Sequence, residues 1–155
     1  MSAVSYDGRG NLFVGGDSDY GGKYFRLAEL SRGSSNLTNI SMNEQIGGNT
    51  SDYSVQWDGR CVAVTEFETR SAALPVYRVK ISGSQGTVVD TIKLLKTPRN
   101  HFSGGFSWIQ GHTIILPDYG GNALGFWAYP RGGRAQKNFK DQGNAFVAET
   151  VSLGQ

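Results

Sequence analysis

One cysteine, four prolines, an almost even balance of charge and no long apolar run characterise this 155-residue chain by what it lacks. The single cysteine, Cys61, excludes an internal disulfide and a cysteine metal cluster. Its place in the alternating stretch VQWDGRCVAV marks it as a buried small hydrophobe rather than a nucleophile. Fifteen basic against thirteen acidic side chains leave a formal +2, too small and too dispersed to be the electrostatic footprint of a nucleic-acid binder. The densest positive run, RGGRAQKNFK from Arg131 to Lys140, reads as a solvated turn between strands. No apolar stretch nears the ~18 residues of a membrane span, and Met1 is followed by no basic-then-apolar pattern. Nor does any segment sustain the i, i+3, i+4 spacing of an amphipathic helix.

What is present is glycine, 22 residues of it, and aromatics at 12%, a composition of many short strands joined by tight turns. The pattern repeats. VSYDGRGNLFV, VQWDGRCVAV and FSWIQGHTIIL each set an aromatic before a turn and an apolar strand after it, and Tyr6, Trp57 and Trp108 stand at equal steps of fifty-one. A second landmark keeps nearly the same step, because Gly33, Gly83 and Gly133 are fifty apart, in the turns SRGSSN, SGSQGT and RGGRAQ. Periods of ~40 to 50 residues holding about four short strands are the signature of propeller blades. The expected fold is therefore all-β, a β-propeller-type repeat of three four-stranded antiparallel blades, with blades at about 1–50, 51–101 and 102–143 and a closing strand at 144–155. Asp7-Gly8 and Asp58-Gly59 predict tight hairpin turns, and Tyr6, Trp57 and Trp108 are expected to fill the gaps between neighbouring sheets.

The recurrent polar feature is an acid ending one apolar strand in each repeat: Asp17 after LFVGG, Glu66 after CVAVT and Asp118 after TIILP. Carboxylates gathered at a channel mouth would hold a hard divalent cation such as calcium through oxygen ligands. Solvated acids that merely end strands are the plain alternative. Tyr20, Tyr53 and Tyr119, near the loops, are candidate flat contacts for a ligand. His101 and His112 form no metal-ligand pairing, and no G-x-S-x-G elbow exists, so a histidine metal site and a serine triad are not expected.

YDGRGNLFV, LAELSRGSSNLTNISMN, VQWDGRCVAV, YRVKISGSQGTVVDTIKL, SWIQGHTIILPDYG and FWAYPRGG, in this order over nearly the whole chain, resemble a group of uncharacterised bacterial, acidobacterial-type six-bladed-propeller-like proteins. The resemblance implies an exported, extracytoplasmic propeller and carries over no catalytic residue. Because Met1 already lies close to the first repeated phrase, and three blades fall short of the ~4 to 8 of a closed ring, the expected partner is a second copy or further blades upstream. Leu12, Phe13, Ile114 and Ile115 would then be bare apolar faces awaiting it. Two functions fit: a non-catalytic binding or scaffold module for a sugar, peptide or surface polymer, and a metal-dependent lactonase-like hydrolase.

Overall fold

The computed structural model describes residues 3–17, 24–47, 52–67, 71–96, 106–118 and 123–140. Among them there are strands and turns and no helix. The strands are β1 (Ala3–Tyr6), β2 (Leu12–Asp17), β3 (Phe25–Leu30), β4 (Leu37–Met42), β5 (Tyr53–Trp57), β6 (Val62–Glu66), β7 (Ala73–Ser82), β8 (Gln85–Leu95), β9 (Trp108–Gln110), β10 (Thr113–Asp118), β11 (Ala123–Ala128), β12 (Gly133–Arg134) and β13 (Lys137–Lys140). Among the described residues, three runs of four strands follow chain order as propeller blades would, β1-β2-β3-β4, β5-β6-β7-β8 and β9-β10-β11-β13. The first two are not separate blades as expected: a parallel β4-β8 pair joins them, with β12 also on β8, into one nine-stranded sheet, and only the third run is a four-stranded sheet of its own. The chain divides into two units, Met1–Glu66 with Val76–Thr91, and Phe67–Pro75 with Ile92–Gln155.

In the first unit, the first run packs against the second. Alternation decides which residues meet: Phe13, Phe25 and Leu27 of one run and Tyr53, Val55, Val62, Val64, Val76 and Val79 of the other are all buried. Every residue of β6 is buried, as befits a central strand covered on both faces. The Trp57 indole lies on the Phe13 ring with centroids 6.0 Å apart and planes 12° from parallel, which fills the gap between the two runs as its place in the repeat predicts. The outer strands β4 and β8 meet in parallel at Ser41↔Gln85 and Met42↔Gly86. Gly86 permits that approach, because a β-carbon there would stand 2.6 Å from the Met42 sulfur and 2.8 Å from Ile40.

β2 runs through Gly15 and Gly16 to Asp17, the acid expected to end it; two other expectations, for Tyr6 and for the apolar faces, are corrected. Gly15 is a packing glycine inside the strand, since a β-carbon on it would sit 2.6 Å from Val55 and 2.7 Å from the Phe25 ring. Tyr6 fills no gap among the described residues and is 66% exposed, with Val4 at 60% on the same strand, while the intervening Ser5 accepts the Trp57 amide at 2.8 Å. Phe13, Ile114 and Ile115 are not bare faces but buried. Among the described residues, the two most exposed large apolar side chains, Val4 and Tyr6, both lie on β1.

In the second unit, β9, β10, β11 and β13 form their sheet around Ile109, Ile114, Leu116 and Ala123. The largest buried side chain is Trp127, 0% exposed, whose indole N–H donates to the Leu95 carbonyl at 3.2 Å. Trp108, expected to be largely buried like Trp57, is half-buried, and so is Trp57. Full burial falls instead on a tryptophan outside the repeated phrase. Trp127→Ala is therefore expected to cost about 3–5 kcal/mol and Trp57→Ala about half of that, in urea unfolding followed by far-ultraviolet dichroism.

Candidate functional site

At one end of the strands in the first unit, two hairpins are built on the same carboxylate device. Asp7 Oδ1 accepts the amides of Arg9 at 2.8 Å and Asn11 at 2.9 Å, and its Oδ2 accepts the Asn11 side-chain amide at 2.9 Å. Asp58 Oδ1 accepts the amides of Arg60 at 2.9 Å and Cys61 at 2.7 Å, and Arg78 Nε closes an ion pair on Oδ2 at 2.8 Å. Asp chemistry suits these turns because a short carboxylate reaches backbone donors two to four residues on. Burial raises the Asp7 pKa, but the hydrogen bonds from Asn11 and Arg9 outweigh it, and the carboxyl is held below its ordinary value. Burial, reinforced by the nearby Asp58 charge, pushes the Cys61 thiol up, consistent with an inert buried residue.

These turns open onto a cleft of about 790 Å3 contained in the first unit. Trp57 and Phe13 are its aromatic part, and Arg9, Arg60 and Lys80 bring positive charge to it. The turn after β3 is tied in by the Asn11 side chain, which accepts the Arg32 amide at 2.9 Å.

The opposite ends of β2 and β6 carry the strand-end acids. In register, Asp17 faces Phe25 and Glu66 faces Tyr53, and the Phe25 and Tyr53 rings touch, with centroids 5.1 Å apart. Glu66 is 3% exposed, and the Tyr77 hydroxyl donates to its Oε2 at 3.1 Å. Asp118 takes the equivalent last place of β10, facing Ala123 in its own sheet. For Asp17 and Asp118 the backbone position is described, not the side chain. Among the described residues no three His, Cys, Asp or Glu side chains cluster as a metal site.

Tyr20 and Tyr119 lie outside the described residues, as does the closing strand 144–155. Tyr53 is a correction: at 1% exposure it offers no open flat contact, its ring being packed on Phe25 and its hydroxyl set against Gly47. Two participants were not anticipated from the sequence. Tyr77 had no signal, since its reach to Glu66 depends on the β6-β7 register. The cations had one, because the phrase DGR occurs twice and puts Arg9 and Arg60 at matching turn positions.

Among solved structures, the fold is similar to that of the Pseudomonas aeruginosa periplasmic gluconolactonase PpgL, with 13% sequence identity and a TM-score of 0.48 over 96% of this chain and 59% of that one. The chain therefore spans less than two thirds of that protein. A likeness of this degree assigns no residue a role. No family model and no curated protein matches the chain. Among the described residues, no helix is long and apolar enough to cross a membrane.

The two turn carboxylates predict unequal costs. Asp58, whose side chain is 1% exposed and paired with Arg78, should cost about 2–3 kcal/mol on replacement by Ala, below the ~3–5 of a fully buried pair because Arg78 keeps some water. Asp7→Ala, at a more exposed turn, should cost less than about 1 kcal/mol. The folded pKa of Asp7 is depressed, so its contribution is complete above its unfolded value and lost as pH falls through the folded one. A carboxyl-carbon NMR titration reads this directly, with Asp7 expected to titrate below an ordinary Asp.

Proposed function

We propose that the chain supplies blades of a propeller hydrolase of the metal-dependent lactonase type, with Glu66 and Asp17 as ligands for a hard divalent cation such as calcium. The observation that carries this reading is Glu66. The residue is 3% exposed at the end of β6, and the matching last place of β2 is again an acid, Asp17; their register partners are Tyr53 and Phe25, whose rings touch. The donors fit such a cation in kind, being carboxylate oxygens. When bound, the cation would polarise a lactone carbonyl and lower the pKa of a bound water. The chain's own part is orientation and exclusion of water. The Tyr77 hydroxyl holds Glu66 Oε2, and the Phe25 and Tyr53 rings seal the register positions opposite the two acids. The reading rests on these residues; the gluconolactonase likeness is consistent with it and adds no weight.

A binding module without catalysis is the second reading, favoured by the cleft beside Trp57. Under either reading we infer an extracytoplasmic protein akin to the bacterial six-bladed group. Its ring would be completed by further blades, from a second copy or a longer chain, seated on the Val4 and Tyr6 face of β1.

Calcium at one hundred times its dissociation constant should stabilise the wild type by about 2.7 kcal/mol, read as a rise in melting temperature. Glu66→Gln should remove that rise and lower lactone hydrolysis, followed by proton release, at least a hundredfold. Tyr77→Phe, which keeps the carboxylate, should weaken calcium about tenfold. A wild type that neither gains stability from calcium nor opens a lactone would end the hydrolase reading. The ring-completing face is tested by sedimentation of this chain, where Val4→Ser with Tyr6→Ser should dissociate an assembly that the wild type forms. A wild type that stays monomeric at high micromolar concentration argues against pairing of two copies.

A further inference from the structure

The cleft at the turn end of the first unit lies at the other end of β2 and β6 from Asp17 and Glu66, and its chemistry differs from theirs. We propose that it is a binding site for an acidic saccharide, a chain of uronic-acid residues, separate from the carboxylate end of the strands. Four observations converge.

The Trp57 indole is half-buried, with the Phe13 ring stacked along it, so the plate is rigid while part of it stays open to the cleft. Flat, fixed aromatic surface of this kind suits the C–H face of a sugar ring. Three cations line the cleft, and among the described residues the side chains of Arg9, Arg60 and Lys80 make no ion pair or hydrogen bond. Each comes from a different element, the β1-β2 turn, the β5-β6 turn and β7. That distribution suits carboxylates spaced along a polymer better than one compact anion, and a guanidinium takes a carboxylate through paired N–H donors.

The two acids on the same cleft, Asp7 and Glu29, leave its three cations one positive charge in excess. Asp7 is occupied by its own turn, accepting from the Arg9 and Asn11 amides and the Asn11 side chain, and Glu29 accepts the Ser31 hydroxyl at 3.3 Å. The hydroxyls of Thr38 and Ser84 complete a rim able to exchange hydrogen bonds with sugar hydroxyls. At about 790 Å3 the cleft is in the size range of ligand sites and takes a short oligosaccharide.

The test uses trigalacturonate, its fully methyl-esterified form, which has the same backbone without the charge, and sulfate. Binding to the 155-residue chain is followed by calorimetry and tryptophan fluorescence. Trigalacturonate should bind and perturb the fluorescence, weakening as salt is raised. The methyl ester should bind at least tenfold more weakly. Arg9→Gln, Arg60→Gln and Lys80→Gln should each lower affinity about tenfold with an unchanged melting temperature, since these side chains hold nothing in the fold. Trp57→Leu should lower affinity as well. Glu66→Gln should leave it unchanged, which separates this site from the hydrolase reading. The proposal is overturned by no binding at millimolar trigalacturonate, by equal binding of the ester, by sulfate competing as well as the sugar does, or by Gln variants that bind like the wild type.

Discussion

At the turn between β5 and β6 a single carboxylate holds three donors, and most of the first unit depends on where it puts the strands. Asp58 takes the Arg60 and Cys61 amides and the Arg78 guanidinium, while its own amide donates to the Cys61 carbonyl at 2.9 Å. The turn so closed sets Trp57 opposite Val62 and Tyr53 opposite Glu66. A slip of one residue would send every β6 side chain to the other face. Held in register, β6 keeps its valines in the core, Trp57 meets Phe13 of the first run, and Glu66 arrives beside Tyr77.

The same device in the first run gives the two hairpins of this unit a common polarity. One end is made of turns, where carboxylates are tied into backbone geometry and the arginines that follow them are left to face the cleft. The far end is made of strand termini, where acids close β2 and β6 and the Phe25 and Tyr53 rings pack between their register partners. Acidic residues thus hold two kinds of place, in the turns where Asp7 and Asp58 accept backbone amides and at the ends of β2 and β6. The third run dispenses with Asp at its hairpin and makes the turn at Gly111, which has φ +55° and open space where a side chain would be.

Much of the architecture was legible because the repeat writes each turn and each strand in short local phrases. Strand order follows from hairpins in sequence, so β1 to β4 and β5 to β8 needed no long-range information. What was not legible is what depends on neighbours. Gly15 has no packing role to be read from sequence, since it is Val55 and Phe25, distant in the chain, that occupy the space of its missing side chain. Tyr53 looks like a loop aromatic, yet its partner Phe25 lies twenty-eight residues earlier and closes it into the core. Trp127 stands outside the repeated phrase, and its burial rests on the Leu95 carbonyl more than thirty residues away. For the candidate site, the strand-end position of the acids was readable from spacing, whereas the Tyr77 hydrogen bond was not.

The proposal comes down to a division of labour among carboxylates, with Asp7 and Asp58 holding turns and Asp17 and Glu66 proposed as cation ligands. The most direct test is carboxyl-carbon NMR of the side chains during a calcium titration. The Asp17 and Glu66 resonances should move together and saturate at one calcium concentration, while those of Asp7 and Asp58 stay in place. A Glu66 resonance that does not respond, or Asp7 and Asp58 resonances that move in its stead, would contradict the account.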